Sequence, residues 1–530
     1  MRVQLVKKGL PITLSTMLAF TVVAGCSDNA APPGKAPAQG TTAPKASNEV
    51  VPISMALRVY ATYVEKIPSL KDDPYFKKLE ELTHTKLDIK YLAKETGAYG
   101  TKLDLMFASG DIPDVVQTSG GGYTNENGQT LVQAIEAGTF LPLNDLIDKY
   151  GPNLKKKIPE AAWEEQKFSD GKVYSLPEFL SNPSRKAAII RKDLLDKAKL
   201  PVPKTVEEYL NVLREFKKMG LSQPFVGREK FNFSDMFLGA YDVMPTQWTL
   251  GPNGEPVPKF FNVANMEKAI NTYKTMYDEG LMTKDFATQQ FADYKRAIIT
   301  GQGGLFTANA ADILSYDVQL KQNVPDGKLE IVPSPTGTDG KGGSTLSGTV
   351  IRGYMINKKA KNPERIIQFF DWMLSDEADN FFSYGIEGTD YTKDNGKINY
   401  KLPVTTDEAG REDWRKNDFW LLHDATYNKK LLELTPDGQA VLGKFDSVMS
   451  KEGRDGIRWK EEPKALSTTP DLQMSSIPKL LNEHMAKMII GQEPLGWQKV
   501  VDEWKSKGGD KALKEVAETY KRGEFLKPRR

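Results

Sequence analysis

The sequence predicts an α/β protein, and three observations carry that prediction. Short apolar runs such as residues 53–59 alternate with stretches in which Phe76, Leu79 and Leu82 recur at helical spacing. Acidic residues and prolines stand where these helical stretches begin. The chain has 530 residues, too many for one compact core, so two or three domains are expected. Alternating strands and helices imply βαβ units and mainly parallel sheets.

The start and stop signals place individual elements along the chain. A helix is expected from Asp73-Pro74, because acids favour a helix N-terminus and proline fits its first turn. Residues 87–92 alternate like a strand. Thr205 and Glu208 fit a capping box at the start of another helix. Further helices are expected at residues 266–279, 363–374, 477–490 and 498–505.

Composition and charge exclude several classes of protein. Hydrophobic residues make up 39% and charged residues 27%, which is typical of a folded, soluble chain. Lys plus Arg number 72 and Asp plus Glu 70, so the body is nearly neutral and nucleic acid is not expected as a partner. One cysteine excludes a disulfide framework and a cysteine-based zinc site within the chain.

The N-terminal segment predicts export and lipid anchoring. Residues 1–25 combine early basic residues with an interrupted apolar stretch, as in a signal peptide. The small residues before Cys26 resemble a bacterial lipobox, in which the cysteine is lipidated; an ordinary signal peptide with a chance cysteine is the alternative. Residues 26–50 are rich in Ala, Pro, Gly, Ser and Thr and are expected to form a disordered tether.

Several short motifs follow one another in a fixed order. They are FASGDIPDVV at 107–116, GKVYSLP at 171–177, RKDLL at 191–195 with PKT at 203–205, YDEGL at 277–281 with KDF at 284–286, GIEG at 385–388 with Tyr391, and IGQEP at 490–494 with residues 504–509. Together they resemble the family 1 extracellular solute-binding proteins of bacterial ABC importers, in the branch of oligosaccharide-binding lipoproteins. The motifs identify the fold and do not locate the ligand site, because most of their glycines, prolines and acids are expected to stabilise turns.

The resemblance implies a two-lobed, periplasmic-binding-protein-like α/β fold. Each lobe is expected to hold a mainly parallel sheet flanked by helices, with the ligand cleft at the hinge. We expect the N-terminal lobe at residues 51–187 plus about 330–374. The C-terminal lobe is expected at about 188–329 plus 375–530. Several oligosaccharide-binding relatives carry an EF-hand-like calcium loop after the helix that follows the PKT motif. Residues 217–224 lack its Asp- and Asn-rich pattern, so no structural calcium is expected at that place. No other metal and no cofactor are expected.

Sugar rings pack on aromatic faces, and their hydroxyls need convergent polar groups. Trp248, Trp420 and Trp459 lie in polar surroundings and are candidates for ligand contact; packing at a lobe rim is the alternative for Trp248. Tyr123 follows the PDVV strand, where ligands of open α/β sheets bind. Arg352 follows another strand and is a candidate partner for a uronate carboxylate, the alternative being a surface ion pair.

The expected function is capture of an oligosaccharide outside the cytoplasmic membrane and its delivery to an ABC permease. We expect a monomer held on the membrane through lipid at Cys26, with no catalytic residues. The alternatives are a surface lipoprotein enzyme acting on polysaccharide and a receptor for a peptide or another solute. The absence of an evident catalytic constellation disfavours the enzyme.

Overall fold

The computed structural model describes residues 49–58, 62–93, 96–119, 128–403, 405–460, 463–474 and 476–529. Cys26, the signal segment and Tyr123 lie outside these residues. Within the described ranges, no helix has both the length and the apolar character that a membrane crossing requires.

The strands form two main sheets and three two-stranded ribbons. In chain order they are β1 (Val51–Arg58), β2 (Thr85–Ala93), β3 (Val115–Ser119), β4 (Leu176–Phe179), β5 (Lys186–Arg191), β6 (Gln223–Val226), β7 (Trp248–Leu250), β8 (Pro256–Pro258), β9 (Gly303–Asn309), β10 (Leu329–Val332), β11 (Val350–Ile356), β12 (Tyr391–Asp394), β13 (Lys397–Tyr400), β14 (Arg458–Trp459) and β15 (Phe525–Leu526).

Helices connect and cover the strands. They are α1 (Pro74–Thr83), α2 (Thr96–Ser109), α3 (Gly128–Glu136), α4 (Asn144–Tyr150), α5 (Pro152–Lys157), α6 (Glu160–Glu165), α7 (Lys192–Lys197), α8 (Val206–Lys218), α9 (Met236–Ala240), α10 (Val263–Asp278), α11 (Phe291–Ile299), α12 (Ile313–Asn323), α13 (Pro363–Trp372), α14 (Asp376–Tyr384), α15 (Thr406–Asp413), α16 (Lys429–Leu432), α17 (Pro436–Lys444), α18 (Lys464–Ser467), α19 (Lys479–Ile489), α20 (Trp497–Trp504) and α21 (Asp510–Lys521).

The helix starts predicted from local signals are confirmed. The Asp73 carboxylate accepts hydrogen bonds from the backbone N–H groups of Tyr75 and Phe76, at 2.9 and 3.0 Å, and Pro74 opens α1. Thr205 and Glu208 form the expected capping box of α8. The four later helices also occur; Pro363 begins its helix as predicted, and the other ends differ from the predicted ones by one to three residues.

The first sheet has the strand order β2-β1-β3-β11-β4. β1 pairs in parallel with β2 and β3, whereas β11 pairs antiparallel with β3 and β4. The second sheet has the order β10-β5-β9-β6. There only β6 and β9 pair in parallel. Both sheets are therefore mixed, and the expectation of mainly parallel sheets holds only for β1, β2 and β3 of the first.

The hydrophobic cores show which segments each lobe contains. Helices α13 and α14 and the stretch 414–422 pack into the core of the first sheet, together with residues from Ile53 onward. Residues 457–516 pack with the second sheet, as do several from α16 and α17. The predicted boundary at 375 is thus displaced, because α14 and residues 414–422 complete the N-terminal lobe. The chain returns to the C-terminal lobe between residues 422 and 432.

Candidate functional site

Three segments cross between the two lobes and run beside one another: residues 180–185, 333–349 and 423–428. The Leu180 N–H donates to the Thr349 carbonyl at 2.8 Å, which joins the first segment to the second. The Ala425 N–H donates to the Phe179 carbonyl at 2.8 Å, which joins the third to the end of β4. Adjacent crossing segments of this kind form a hinge between lobes.

A salt bridge also links the two lobes beside the hinge. Glu165, at the end of α6 in the N-terminal lobe, is 4% exposed. Its carboxylate accepts the backbone N–H groups of Thr349 and Val350 at 2.9 to 3.1 Å. Arg458 of the C-terminal lobe pairs with the same carboxylate. One carboxylate, that of Glu165, therefore holds the end of the crossing segment 333–349 and also contacts Arg458 of the C-terminal lobe.

The strand ends face the hinge from both sides. In the first sheet, β1, β3 and β4 end at this edge and β11 begins there. In the second sheet, β6, β9 and β10 end at this edge and β5 begins there. Ligands of open α/β folds bind beyond the carboxyl ends of the strands. The space between these two edges is the candidate site, called the interlobe cleft below.

On the N-terminal side of the cleft, Arg352 is tied into a buried polar cluster. Its guanidinium donates to the Asn417 carbonyl at 3.2 Å and pairs with Asp418 and Glu178, each at 3.4 Å. Arg352 is only 7% exposed. Pairing of Arg352 with a ligand carboxylate stays a prediction. The Arg352 guanidinium already pairs with two carboxylates of the protein, those of Glu178 and Asp418.

The same cluster shifts the pKa of two neighbouring groups. Burial raises the pKa of the Glu178 carboxyl to about 7, against the lowering effect of the Arg352 and Arg185 charges. Burial lowers the pKa of the His423 imidazole to about 3, and the Arg352 charge acts in the same direction. His423 is therefore neutral at physiological pH, and its Nδ1–H donates to the Trp420 carbonyl at 2.8 Å. Glu178 titrates near neutral pH.

Trp420 is held on both ring faces by protein groups. Its indole stacks on Phe382 with ring centroids 5.2 Å apart, and on His423 with centroids 4.5 Å apart. Its Nε1–H donates to the Met373 carbonyl at 2.9 Å. The ring is 8% exposed and belongs to the core of the N-terminal lobe.

Trp248 and Trp459, predicted separately, are brought together in the C-terminal lobe. Their rings meet edge to face with centroids 5.7 Å apart. Trp248 is 2% exposed and belongs to the core of that lobe, so little of its ring is open to solvent in this conformation. Trp459 packs against the same core, and among the described residues its buried indole N–H has no acceptor. Contact of either ring with ligand remains a prediction.

The C-terminal side of the cleft contains an aromatic group that the sequence analysis missed. After β6 the chain makes an unusual turn in which Lys230, Phe231 and Phe233 all have positive φ, between 50° and 55°. Such a conformation is strained for residues with bulky side chains, and strain of this kind clusters at ligand sites. The turn directs the Phe233 ring against Lys186, whose Nζ lies 5.5 Å from the ring centroid.

Phe291, the first residue of α11, extends this aromatic group toward solvent. Its ring is 46% exposed and stacks on Tyr294, with centroids 6.1 Å apart. The Arg228 guanidinium lies 5.1 Å from the Phe291 centroid and 5.6 Å from that of Phe233. We call Phe233, Phe291 and Arg228 the aromatic platform. Phe233 and Phe291 are 58 positions apart in the sequence, so no local motif joins them.

The structure describes no metal-binding cluster. Over the described ranges, no group of three or more His, Cys, Asp or Glu side chains is arranged to hold an ion. Where related proteins are expected to carry a calcium loop, α8 ends at Lys218 and β6 begins at Gln223. Gly220, with φ of +95°, turns the short connection between them. The Asp394-Asn395-Gly396 stretch forms the turn of the β12–β13 hairpin.

Comparisons with known proteins are consistent with this architecture. The family described as bacterial extracellular solute-binding protein matches residues 67–380. The polygalacturonan/rhamnogalacturonan-binding protein YtcQ of Bacillus subtilis (strain 168) is 26% identical over 465 residues, covering 85% of this chain and 88% of its own. Lipoprotein LipO of the same organism is 22% identical over 552 residues, covering 98% and 99%.

One solved structure illustrates the shared fold. Alginate-binding protein AlgQ2, crystallised without calcium ion, superposes with a TM-score of 0.67 over 90% of this chain and 99% of its own, at 21% identity. The similarity extends over both lobes and the hinge that joins them.

Proposed function

The chain belongs to the bacterial extracellular solute-binding protein family, and from this premise we propose that it captures an oligosaccharide in the interlobe cleft and delivers it to an ABC importer. Proteins with this architecture bind solute between two lobes and close about a hinge. The lipobox-like segment supports anchoring of the exported protein to the cell membrane through Cys26. Two acyl chains, or one chain with a second signal, are needed for a stable anchor of this type.

The aromatic platform is the observation that carries the assignment of sugar as ligand. The Phe291 ring is 46% exposed, so it is open to a ligand, and covering it would remove apolar surface from water. The C–H faces of a pyranose ring are apolar and pack on such a surface, while neighbouring cations and amides bind hydroxyl and carboxylate oxygens.

Acidic oligosaccharides are the favoured ligand class. YtcQ, named for binding polygalacturonan and rhamnogalacturonan, is similar to this chain over most of its length. Lys186, Arg228 and Arg185 lie at or beside the hinge edge of the second sheet. Lys186 pairs with Asp235 and Arg228 with Glu229, whereas Arg185 forms no ion pair with a described residue and contributes its positive charge to the cleft. Positive charge at a cleft raises the local concentration and association rate of an anionic ligand.

Calorimetric titration of the purified, unlipidated chain with trigalacturonate, alginate trisaccharide, kestose and maltotriose tests this proposal. We expect binding of the uronides and weaker or no binding of the neutral sugars. Mass spectrometry of the recovered ligand is expected to show unchanged mass, whereas shortened or unsaturated products would move the assignment to an enzyme. Failure of all four sugars to bind would overturn sugar as the ligand.

A further inference from the structure

Arg185 lies at the centre of the hinge. It is the last residue of the crossing segment 180–185, immediately before β5. Its carbonyl accepts the Ala310 N–H at 2.9 Å, which holds the backbone of the segment against the end of β9. The side chain is partly exposed. The backbone is thus fixed by the sheet, and the guanidinium extends from a rigid position.

The Arg185 guanidinium forms neither a hydrogen bond nor an ion pair with any residue that the structure describes. Other arginines near the cleft are engaged. Arg228 makes a two-pronged pair with Glu229 at 2.6 and 2.9 Å, and Arg352 contacts Glu178 and Asp418. An arginine left without a carboxylate in a protein cleft is available to an anionic ligand.

The charge of Arg185 reaches acidic groups of both lobes. It lowers the pKa of Glu178 on β4 in the N-terminal lobe and that of Asp312 before α12 in the C-terminal lobe. Burial raises the pKa of both carboxyls, and neither forms an ion pair with the guanidinium. Asp312 is instead bound by the Asn309 side-chain amide, at 3.2 Å. The guanidinium therefore lies between the lobes, close to two acids that do not pair with it.

We propose that Arg185 binds a carboxylate of the captured oligosaccharide through two parallel N–H···O bonds. The proposal rests on the function proposed above and assigns one residue to the acidic group of that ligand. The planar guanidinium fork matches the geometry of a carboxylate, and a lysine ammonium does not. The next residue, Lys186, contacts the Phe233 ring, so Arg185 adjoins in sequence a residue that borders the aromatic platform.

The experiment compares trigalacturonate with its methyl ester, which keeps the ring and loses the negative charges. Dissociation constants are measured for the wild type, Arg185→Gln, Arg185→Lys and the control Arg296→Gln. Arg296 is a surface arginine paired with Asp293, and it lies beside Gln223 and Gln302 at the edge where β6 and β9 begin, opposite the hinge edge. We expect Arg185→Gln to weaken binding of trigalacturonate roughly 10- to 150-fold, the scale for losing charge-assisted hydrogen bonds.

The same variant is expected to bind the methyl ester as the wild type does, and Arg185→Lys is expected to recover only part of the affinity for trigalacturonate. Melting temperatures of the free proteins should agree closely, because the side chain loses no hydrogen bond or ion pair to the residues that the structure describes. Equal losses for acid and ester, or no loss for either, would overturn the role of Arg185 while leaving the receptor intact. Wild-type protein that binds only neutral sugars would also overturn the proposed role of Arg185. If the wild type binds no sugar at all, the proposed function itself fails.

Discussion

The indole rings of Trp248 and Trp459 meet at 77° with their centroids 5.7 Å apart, in the core of the C-terminal lobe beside the hinge. The Trp248 carbonyl also accepts the Ile457 N–H at 2.9 Å, so the backbone of the β7–β8 hairpin is joined to the strand that carries Trp459. Two tryptophans more than 200 positions apart therefore support one another, and each fixes the position of the other.

Trp248→Ala is expected to destabilise the protein by roughly 3–5 kcal/mol, the cost of truncating a large aromatic residue in a core. Trp248→Phe should cost less, because a ring still contacts Trp459. Urea denaturation followed by circular dichroism measures both. If Trp248→Ala leaves the free energy of unfolding unchanged but weakens ligand binding, Trp248 is a ligand residue and the packing described above is not its main role.

Phe291→Ala is expected to weaken oligosaccharide binding by about 1–2 kcal/mol and to change stability little. The ring is half exposed in the free protein, so its removal opens no cavity in the core. Leu495→Ala is the matched control, since that apolar side chain is equally exposed, at 45%, in the connection before α20. Calorimetric titration and thermal melting check both variants. Unchanged affinity in Phe291→Ala would remove the aromatic platform from the site.

Glu178→Gln tests the buried cluster through the pH dependence of stability. The pKa of Glu178 rises from 4.5 to about 7 on folding, so the folded state binds the proton more tightly than the unfolded state between those values. This carboxyl accordingly stabilises the fold at low pH, and its contribution declines as pH rises from about 4.5 to about 7. The full shift in the Glu178 pKa corresponds to about 3 kcal/mol in the free energy of unfolding.

His423 acts with the opposite sign. The pKa of the His423 imidazole falls from 6.5 to about 3 on folding. The neutral imidazole therefore stabilises the fold above pH 6.5, and this contribution is lost as the pH falls from 6.5 to about 3. Comparison of the wild type with Glu178→Gln separates the contribution of the Glu178 carboxyl to stability from that of the His423 imidazole. We expect the variant to gain stability relative to wild type between about pH 5 and about pH 8, measured by urea denaturation. A constant difference across that range would show that Glu178 does not titrate there.

Cys26→Ala is expected to release the exported protein from the membrane without unfolding its body. The reason is that the lipobox-like segment supplies the only candidate acylation point of the chain. Fractionation of cells into membrane and soluble portions measures the release, and thermal melting of the secreted product checks the fold. Retention of a processed variant in the membrane fraction would place the anchor elsewhere.

Local features of the fold were predictable, and the partners of individual side chains were not. The helix starts at Asp73 and Thr205 depend on contacts within three residues, so the sequence contains all the information needed. The membership of α14 in the N-terminal lobe depends on packing against residues far earlier in the chain. Arg352 was expected at the cleft, but its pairing with Glu178 and Asp418 follows from the order of strands in the sheet.

The aromatic platform shows the same limit at the site. Nothing near Phe233 in the sequence marks the positive φ values of that turn, and Phe291 reaches it only because α11 runs antiparallel to β9. Tryptophan was the reasonable residue to search for, because it offers the largest ring. Among the described residues, the structure instead places an exposed ring of the cleft on a phenylalanine that begins a helix.

Neither lobe is built from one continuous stretch of chain, and this has a consequence for folding. The N-terminal core contains residues from Ile53 to Leu422, and most of the second lobe lies between its two parts. A chain that emerges N-terminus first cannot close this core until Leu422 is available, whereas continuous domains fold one after another as they appear. Long sequence separation between contacting residues also slows folding. While the chain is being synthesised, the N-terminal core is therefore expected to stay incomplete until the stretch 414–422 has emerged, with its apolar side chains open to chaperones until then.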